Sequence, residues 1–324
     1  MAKIYYWDDS IIRDQWAEIK EMKSCLKGIL KILLTTFLVA SITFILIHFI
    51  PGNPFSGNKN LPPEIIINLE AKYHLDKPIY YQYFMYLKGL VHGDLGPSLK
   101  YINRSVNEIL FSALPISFVL GTLALIISIP LGVVFGVISA VKSKNISGKL
   151  LITFITLGIS LPNFLIAALL INIFALKLKL LPVALCESPA HMILPTITLS
   201  FLPTAYIARI VRAQMLEILS EEYIKTALGN GLPIQNIVFK HALKNCLISL
   251  ITILGPIIAI LVTGSFVVEY IFAIPGIGRY FITAFINRDY FLITGTAIIF
   301  SFILTSLNTI VDFLYRKIDP RVGT

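Results

Sequence analysis

Six stretches of this chain contain no Asp, Glu, Lys or Arg: the run from after Lys31 to Ile50, then residues 109–141, 150–176, 188–208, 245–268 and 290–311. Each has about the length a helix needs to cross a bilayer core, roughly 20 apolar residues. Inside lipid the backbone has no water to bond, and a helix satisfies its own N–H and C=O groups within one segment. The expected fold class is therefore an all-α integral membrane protein with six transmembrane helices. A composition that is 56% hydrophobic and 14% charged, with a mean hydropathy of +0.81, excludes an ordinary soluble domain. The first run could also be read as the core of a cleaved signal peptide, but it is too long and lacks a small-x-small cleavage site, so it is kept as a helix.

Six spans put both termini on one side, and Lys and Arg decide which. Placing the N-terminus, 142–149, 209–244 and the C-terminal end in the cytoplasm puts 17 of the 27 basic residues there. Six of the other ten fall in the long first external loop, where charge weighs less on orientation. The topology is N-in, C-in, and the net charge of +9 is a positive-inside signature rather than a nucleic-acid footprint. The chain divides into a cytoplasmic arm, 1–31, a first transmembrane helix, 32–50, and an external loop region, 51–108. A five-helix core, 109–315, holds a cytoplasmic loop at 220–245, and a tail, 316–324, follows.

The spans carry backbone breakers: Pro115, Pro130, Pro162 beside Asn163, Pro195, Pro203 and Gly255-Pro256. Such kinks are tolerated where neighbouring helices or a water-filled path satisfy the freed groups, and both readings stay open. No charged residue sits at the middle of a span, which argues against a proton-coupled transporter. Glu269 and Asp312 are expected at membrane boundaries. Arg209 and Arg212, at the inner end of the fourth span, read as anchors for lipid headgroups or partner acids.

Catalytic signatures are missing. There is no GxxxxGK[ST], so ATP is not expected on this chain, and no HExxH or GxSxG. Cys25, Cys186 and Cys246 are isolated, which gives neither a disulfide framework nor a zinc site. No metal and no cofactor of its own is expected.

The longest polar interlude in the second half is Ser220–Ser249. Ser220 suits a helix cap, with Glu221 and Glu222 in the first turn where the dipole favours carboxylates. Gly229 and Gly231 allow a left-handed turn, and Pro233 suits the start of a second helix running toward His241 and Lys244. The prediction is a helix, a glycine turn and another helix on the cytoplasmic side.

Glu222-Tyr223-Ile224, Thr226-Ala227, Gly231-Leu232 and His241-Ala242-Leu243-Lys244-Asn245 resemble the cytoplasmic loop of binding-protein-dependent ABC importer permeases. Gly229 stands where that family usually has Ala, Asn230 where Lys is usual, and Ser249 where a Pro commonly follows. Further stretches resemble the oligopeptide, dipeptide and nickel branch: Pro51-Gly52-Asn53-Pro54, His74-Leu75-Asp76-Lys77-Pro78, Gly93-Asp94-Leu95-Gly96, Phe272 to Gly278, Arg288-Asp289-Tyr290 and Asp319-Pro320-Arg321. Pro54-Phe55-Ser56-Gly57 and Gly96-Pro97-Ser98 look closer to the first oligopeptide permease subunit than to nickel permeases.

The resemblance implies a type I ABC importer permease fold in the bacterial cytoplasmic membrane, surrounded by lipid and not by nucleic acid. It implies a second permease subunit, two cytoplasmic ATPase subunits that carry ATP and Mg, and an extracytoplasmic peptide-binding protein. Glu222, Tyr223, Ala227 and Gly231 would couple the chain to the ATPases. The external region would meet the binding protein, with Tyr80 and Tyr101 as probes. The competing reading is a self-sufficient channel or membrane-embedded enzyme whose loop is only a connector.

Overall fold

A computed structural model describes residues 9–49, 63–101 and 103–318, all helices and turns apart from one isolated bridge between Pro97 and Ser105. The motifs at 51–57 and 319–321 lie outside the described residues. Helix α1, Asp9–Phe49, runs through the expected boundary at 31/32 without a break. Its membrane-crossing part extends back to Met22. On the external side α2, Pro63–Lys72, and α3, Ile79–Val91, are joined by a turn with His74 at φ 57° and Pro78 preceding α3.

Helix α4, Val106–Val141, opens on a capping box in which Ser105 accepts the Glu108 N–H at 3.1 Å and Glu108 accepts the Ser105 N–H at 3.3 Å. The chain returns through α5, Ile146–Ser160, and α6, Asn163–Leu170, which continues as a π-helical turn to Lys177. These two legs meet at 106° at Leu161-Pro162. Pro162 has no N–H to continue the ladder and disfavours the helical conformation at Leu161. Helix α7, Ile193–Ser220, follows, then α8, Glu222–Gly229. A single turn α9, Ile234–Asn236, leads through a π-helical segment into α10, Leu243–Thr263. After a break at Gly264 come α11, Phe266–Ile271, α12, Ile277–Asn287, and α13, Tyr290–Ile318.

Five helices are long and apolar enough to span a membrane, and the bent pair makes a sixth. Contacts sort the helix ends. At one end Lys31 on α1 lies 3.7 Å from Asp312 on α13, and Arg212 on α7 donates to the Ser139 carbonyl near the end of α4. At the other, Phe44 on α1 stacks on Tyr86 on α3 at 5.2 Å, and Ser98 reaches Asp289 before α13. Helix α4 finishes at the first end and α7 starts at the second, so α5 and α6 must carry the chain across. Basic residues gather at the first end, which is therefore cytoplasmic.

Helices α4 and α7 form the tightest pair. Gly132 and Gly136 lie one turn apart on α4, and a methyl on either would come within 2.7 Å of Ile207 or Val211 on α7. Small residues at this spacing let two membrane helices approach closely enough for van der Waals packing to hold them without help from water.

Candidate functional site

At the cytoplasmic end α8 lies across the ends of α7 and α10. Glu221, not Ser220, occupies its N-cap and makes no side-chain capping bond; the Ser220 hydroxyl turns back to the Glu217 carbonyl at 2.6 Å, because α7 continues to Ser220 and takes that oxygen for its own last turn. The end of α8 is closed by two bonds: Leu232 N–H donates to Ala227 O at 3.2 Å, and Gly231 N–H to Leu228 O at 3.0 Å. This is the paired left-handed helix cap, with Gly231 at φ 79° supplying the conformation that a Cβ resists. Ala227 and Gly231 are thus two halves of one turn.

Two anchors seat α8. Ile224 is fully buried, and the Tyr223 hydroxyl accepts the Asn245 side-chain amide at 3.2 Å, tying α8 to the first turn of α10. Glu222 is exposed, and Tyr223, Leu228, Leu232 and Ile234 leave 42–46% of their surface uncovered. The result is a fixed helix whose outward side, opposite Ile224, carries exposed Glu222, Lys225 and Thr226, with half-exposed Tyr223 and Leu228 on its flanks.

Gly229 ends this helix, and a methyl there would meet nothing within 4 Å. Gly229→Ala should therefore stabilise the loop by about 0.5–1 kcal/mol, since Gly costs that much relative to Ala in a helix. Slower amide exchange of residues 222–229 would register the gain, and faster exchange would mean the position needs glycine for another reason.

Glu269 has a structural role that its position after the fifth apolar run does not announce. Near the end of the fifth span, it faces neither headgroups nor water but is fully buried behind the break in that span. Its Oε1 accepts the Ser265 N–H at 3.0 Å and its Oε2 the Gly278 N–H at 2.8 Å, while Ser117 on α4 accepts the Ile277 N–H at 2.9 Å. The first N–H groups of a helix have no partner within it, and here a carboxylate and a hydroxyl from elsewhere satisfy those of α12. A methyl on Gly276 would collide with the Glu269 carboxylate and the Ser117 hydroxyl, which explains the small residue in the Phe272–Gly278 motif. Asp289 works alike: buried, it accepts Ser98 Oγ–H at 2.5 Å and Leu292 N–H at 3.2 Å, pinning the external loop to the start of α13. Two stretches that looked like signatures are thus architectural.

Arg212 is half-buried and donates one N–H to the Ser139 carbonyl, whereas Arg209 is exposed. Tyr80 is 77% exposed, but Tyr101 packs edge-on against Tyr280 at 5.9 Å and is a poor surface probe. Among the described residues no group of His, Cys, Asp or Glu could hold a metal.

Three of the prolines converge, while Pro115, Pro130 and Pro195 lie elsewhere. Pro162 and Asn163 from the bent span, Pro203 and Tyr206 from α7, and Pro256 and Gly264 from the fifth span line one open cavity of about 740 Å³. Asn163 Oδ1 is buried there without a hydrogen-bond partner among the described residues. No sequence signal showed that these kinks share a face.

A six-span helical bundle with a side cavity and a seated cytoplasmic helix is the architecture of a membrane permease component. Residues 132–324 match the binding-protein-dependent transport system inner membrane component, and residues 22–118 match the N-terminal part of the same component. The chain is 44% identical over 288 residues to the dipeptide transport system permease protein DppB of Bacillus subtilis, covering 89% of this chain and 94% of that one. It is 41% identical over 303 residues to the oligopeptide transport system permease protein OppB of Salmonella typhimurium, covering 93% and 99%. The chain belongs to the binding-protein-dependent transport system inner membrane component family, with the type I ABC permease fold that goes with it.

Proposed function

We propose that this chain is one of two permease subunits of an ATP-driven importer of short peptides, oligopeptides in particular, fed by an external binding protein. Its relatives are named for oligopeptide and dipeptide transport, and the Pro54–Gly57 and Gly96–Ser98 stretches look closer to oligopeptide permeases than to nickel permeases. The chain performs no chemistry; two ATPase subunits bind ATP and Mg and supply the energy.

The observation that carries this reading is the seating of α8. A connector between spans has no need of a buried Ile224, a Tyr223–Asn245 tie and an exposed outer side held by a closed glycine turn. A lever has need of all three: the outer face receives the ATPase, and the ties pass its movement to α7 and α10 together. Glu222 lies where it meets the docking subunit, Tyr223 and Ala227 hold the helix, and Gly231 sets its angle. The cavity at the kinked helices is this subunit's half of the peptide path, closed on its open side by the second permease.

The test is a mild-detergent pull-down of the tagged chain from its native membrane beside a Glu222→Ala/Gly231→Val double variant, with partners identified by mass spectrometry. A second permease and ATPase subunits recovered with the wild type, and ATPase recovery reduced about tenfold with the variant, are expected. Recovery of the chain alone, where other complexes survive, would favour the self-sufficient channel.

A further inference from the structure

We propose that Arg209 receives the substrate's C-terminal carboxylate as the peptide leaves the cavity toward the cytoplasm. The inference rests on the peptide-importer reading and adds a specificity-determining residue to it.

The placement follows from helix geometry. At 3.6 residues per turn, Leu199, Leu202, Arg209, Ala213 and Glu217 all lie within about 60° of Tyr206 around the axis of α7. The opposite side of α7 is occupied: Ile207 and Val211 face α4, and Ala205 and Ala208 face Ile155 of α5. What remains is the open stripe, and Leu199, Leu202 and Tyr206 on it line the 740 Å³ cavity. Arg209 is the next residue along that stripe, about 4.5 Å further toward the cytoplasm.

Its chemistry sets it apart. No charged side chain lines the cavity. Arg209 is exposed, and no hydrogen bond or ion pair to it occurs among the described residues, whereas Arg212 one turn on is held by Ser139. Helix α7 continues for eleven residues beyond Arg209 before it ends at Ser220, so the guanidinium is held on a helix at the inner end of the span, just past the cavity, rather than on a loop. The planar guanidinium matches a carboxylate with two parallel hydrogen bonds and stays charged at any physiological pH. Every peptide with a free C-terminus brings such a group, whatever its side chains. Glu217, two turns further down the stripe, faces the cytoplasmic end, where a released carboxylate is repelled rather than held.

The experiment uses the complete importer reconstituted in proteoliposomes and peptide pairs, free acid and C-terminal amide, of which the wild type carries both. Arg209→Gln should slow uptake of the free acid about tenfold, change uptake of the amide less than twofold, and leave the ATPase activity seen without peptide unaltered. Arg209→Lys should recover most of the loss, since it keeps the charge without the fork. Equal loss for acid and amide would overturn the proposal and assign Arg209 to packing or to the partner permease, and unchanged uptake of both would return it to lipid anchoring. In a variant with Cys25 and Cys186 replaced by Ser, Arg209→Cys should react with a charged, water-soluble maleimide added from the cytoplasmic side; complete protection would place the residue in lipid and overturn the proposal. A wild-type complex that carries neither peptide is a different result, and sinks the importer reading itself.

Discussion

Glu269→Ala should destabilise the detergent-solubilised protein by about 3 kcal/mol or more, the largest single-site effect expected outside close helix contacts. The substitution strands the buried Gly278 N–H and the half-buried Ser265 N–H, both bonded to the carboxylate. Each buried donor left unmade costs about 1–3 kcal/mol. Glu269→Gln should fall between Ala and the wild type, because an amide offers one acceptor oxygen where the carboxylate offers two, and turns its NH2 toward donors. Denaturant unfolding with tryptophan or cysteine-reactivity readout would measure both. An unchanged midpoint for Ala would mean that the Phe272–Gly278 segment finds other partners and that Glu269 does not hold it. The consequence is local as well as global: Glu269 and Ser117 join α4, α11 and α12 just above the cavity, so the variant should also expose Ser117→Cys to external thiol reagents.

That site shows where sequence reasoning stops. The six spans are legible because backbone desolvation in lipid dominates every other term, and an apolar run of sufficient length has one stable answer. Orientation is legible because Lys and Arg bias is a property of segments, not of partners. The burial of Glu269 is not legible because a carboxylate at the end of an apolar run reads as solvent-facing unless the donors that satisfy it are known, and one of its neighbours, Ser117, lies 152 residues earlier in the chain. The Gly132/Gly136 approach to α7 was invisible for the same reason: the spacing is in the sequence, but the helix it faces is not. Pro162 announced a break and could not announce its 106° angle, which depends on what α6 packs against. The arm ahead of Lys31 is separated from the first span by charge, yet α1 runs unbroken from Asp9 into that span, since a helix bonds to itself on either side of a solvent boundary. In the cytoplasmic loop the turn chemistry is local, so Gly231 could be placed at once; Ser220 could not, because whether a hydroxyl caps the next helix or closes the last depends on where the preceding helix ends.

Gly231→Val should uncouple uptake from ATP hydrolysis, with peptide transport reduced at least tenfold while the protein still inserts and accumulates normally. A β-branched residue at φ 79° is strained by about 1–2 kcal/mol. No atom lies within 4 Å of where the new Cβ would sit, so nothing but the backbone conformation is disturbed. Relief of that strain means surrendering the Leu232–Ala227 and Gly231–Leu228 bonds, after which α8 is no longer held at a fixed angle to the helix that follows Pro233. Its seat through Ile224 and Tyr223 survives, so the protein folds but the lever has slack. Gly231→Asn is the decisive control: Asn adopts the left-handed region more readily than other L-residues and can stand in for Gly at this cap position. Uptake should therefore stay within about threefold of wild type for Asn and collapse for Val, measured against ATPase activity in the same proteoliposomes. Equal transport by the two variants would show that the angle of this turn carries no movement. Equal collapse would show that the outer surface of the turn itself, where any side chain intrudes on the ATPase, matters more than its conformation.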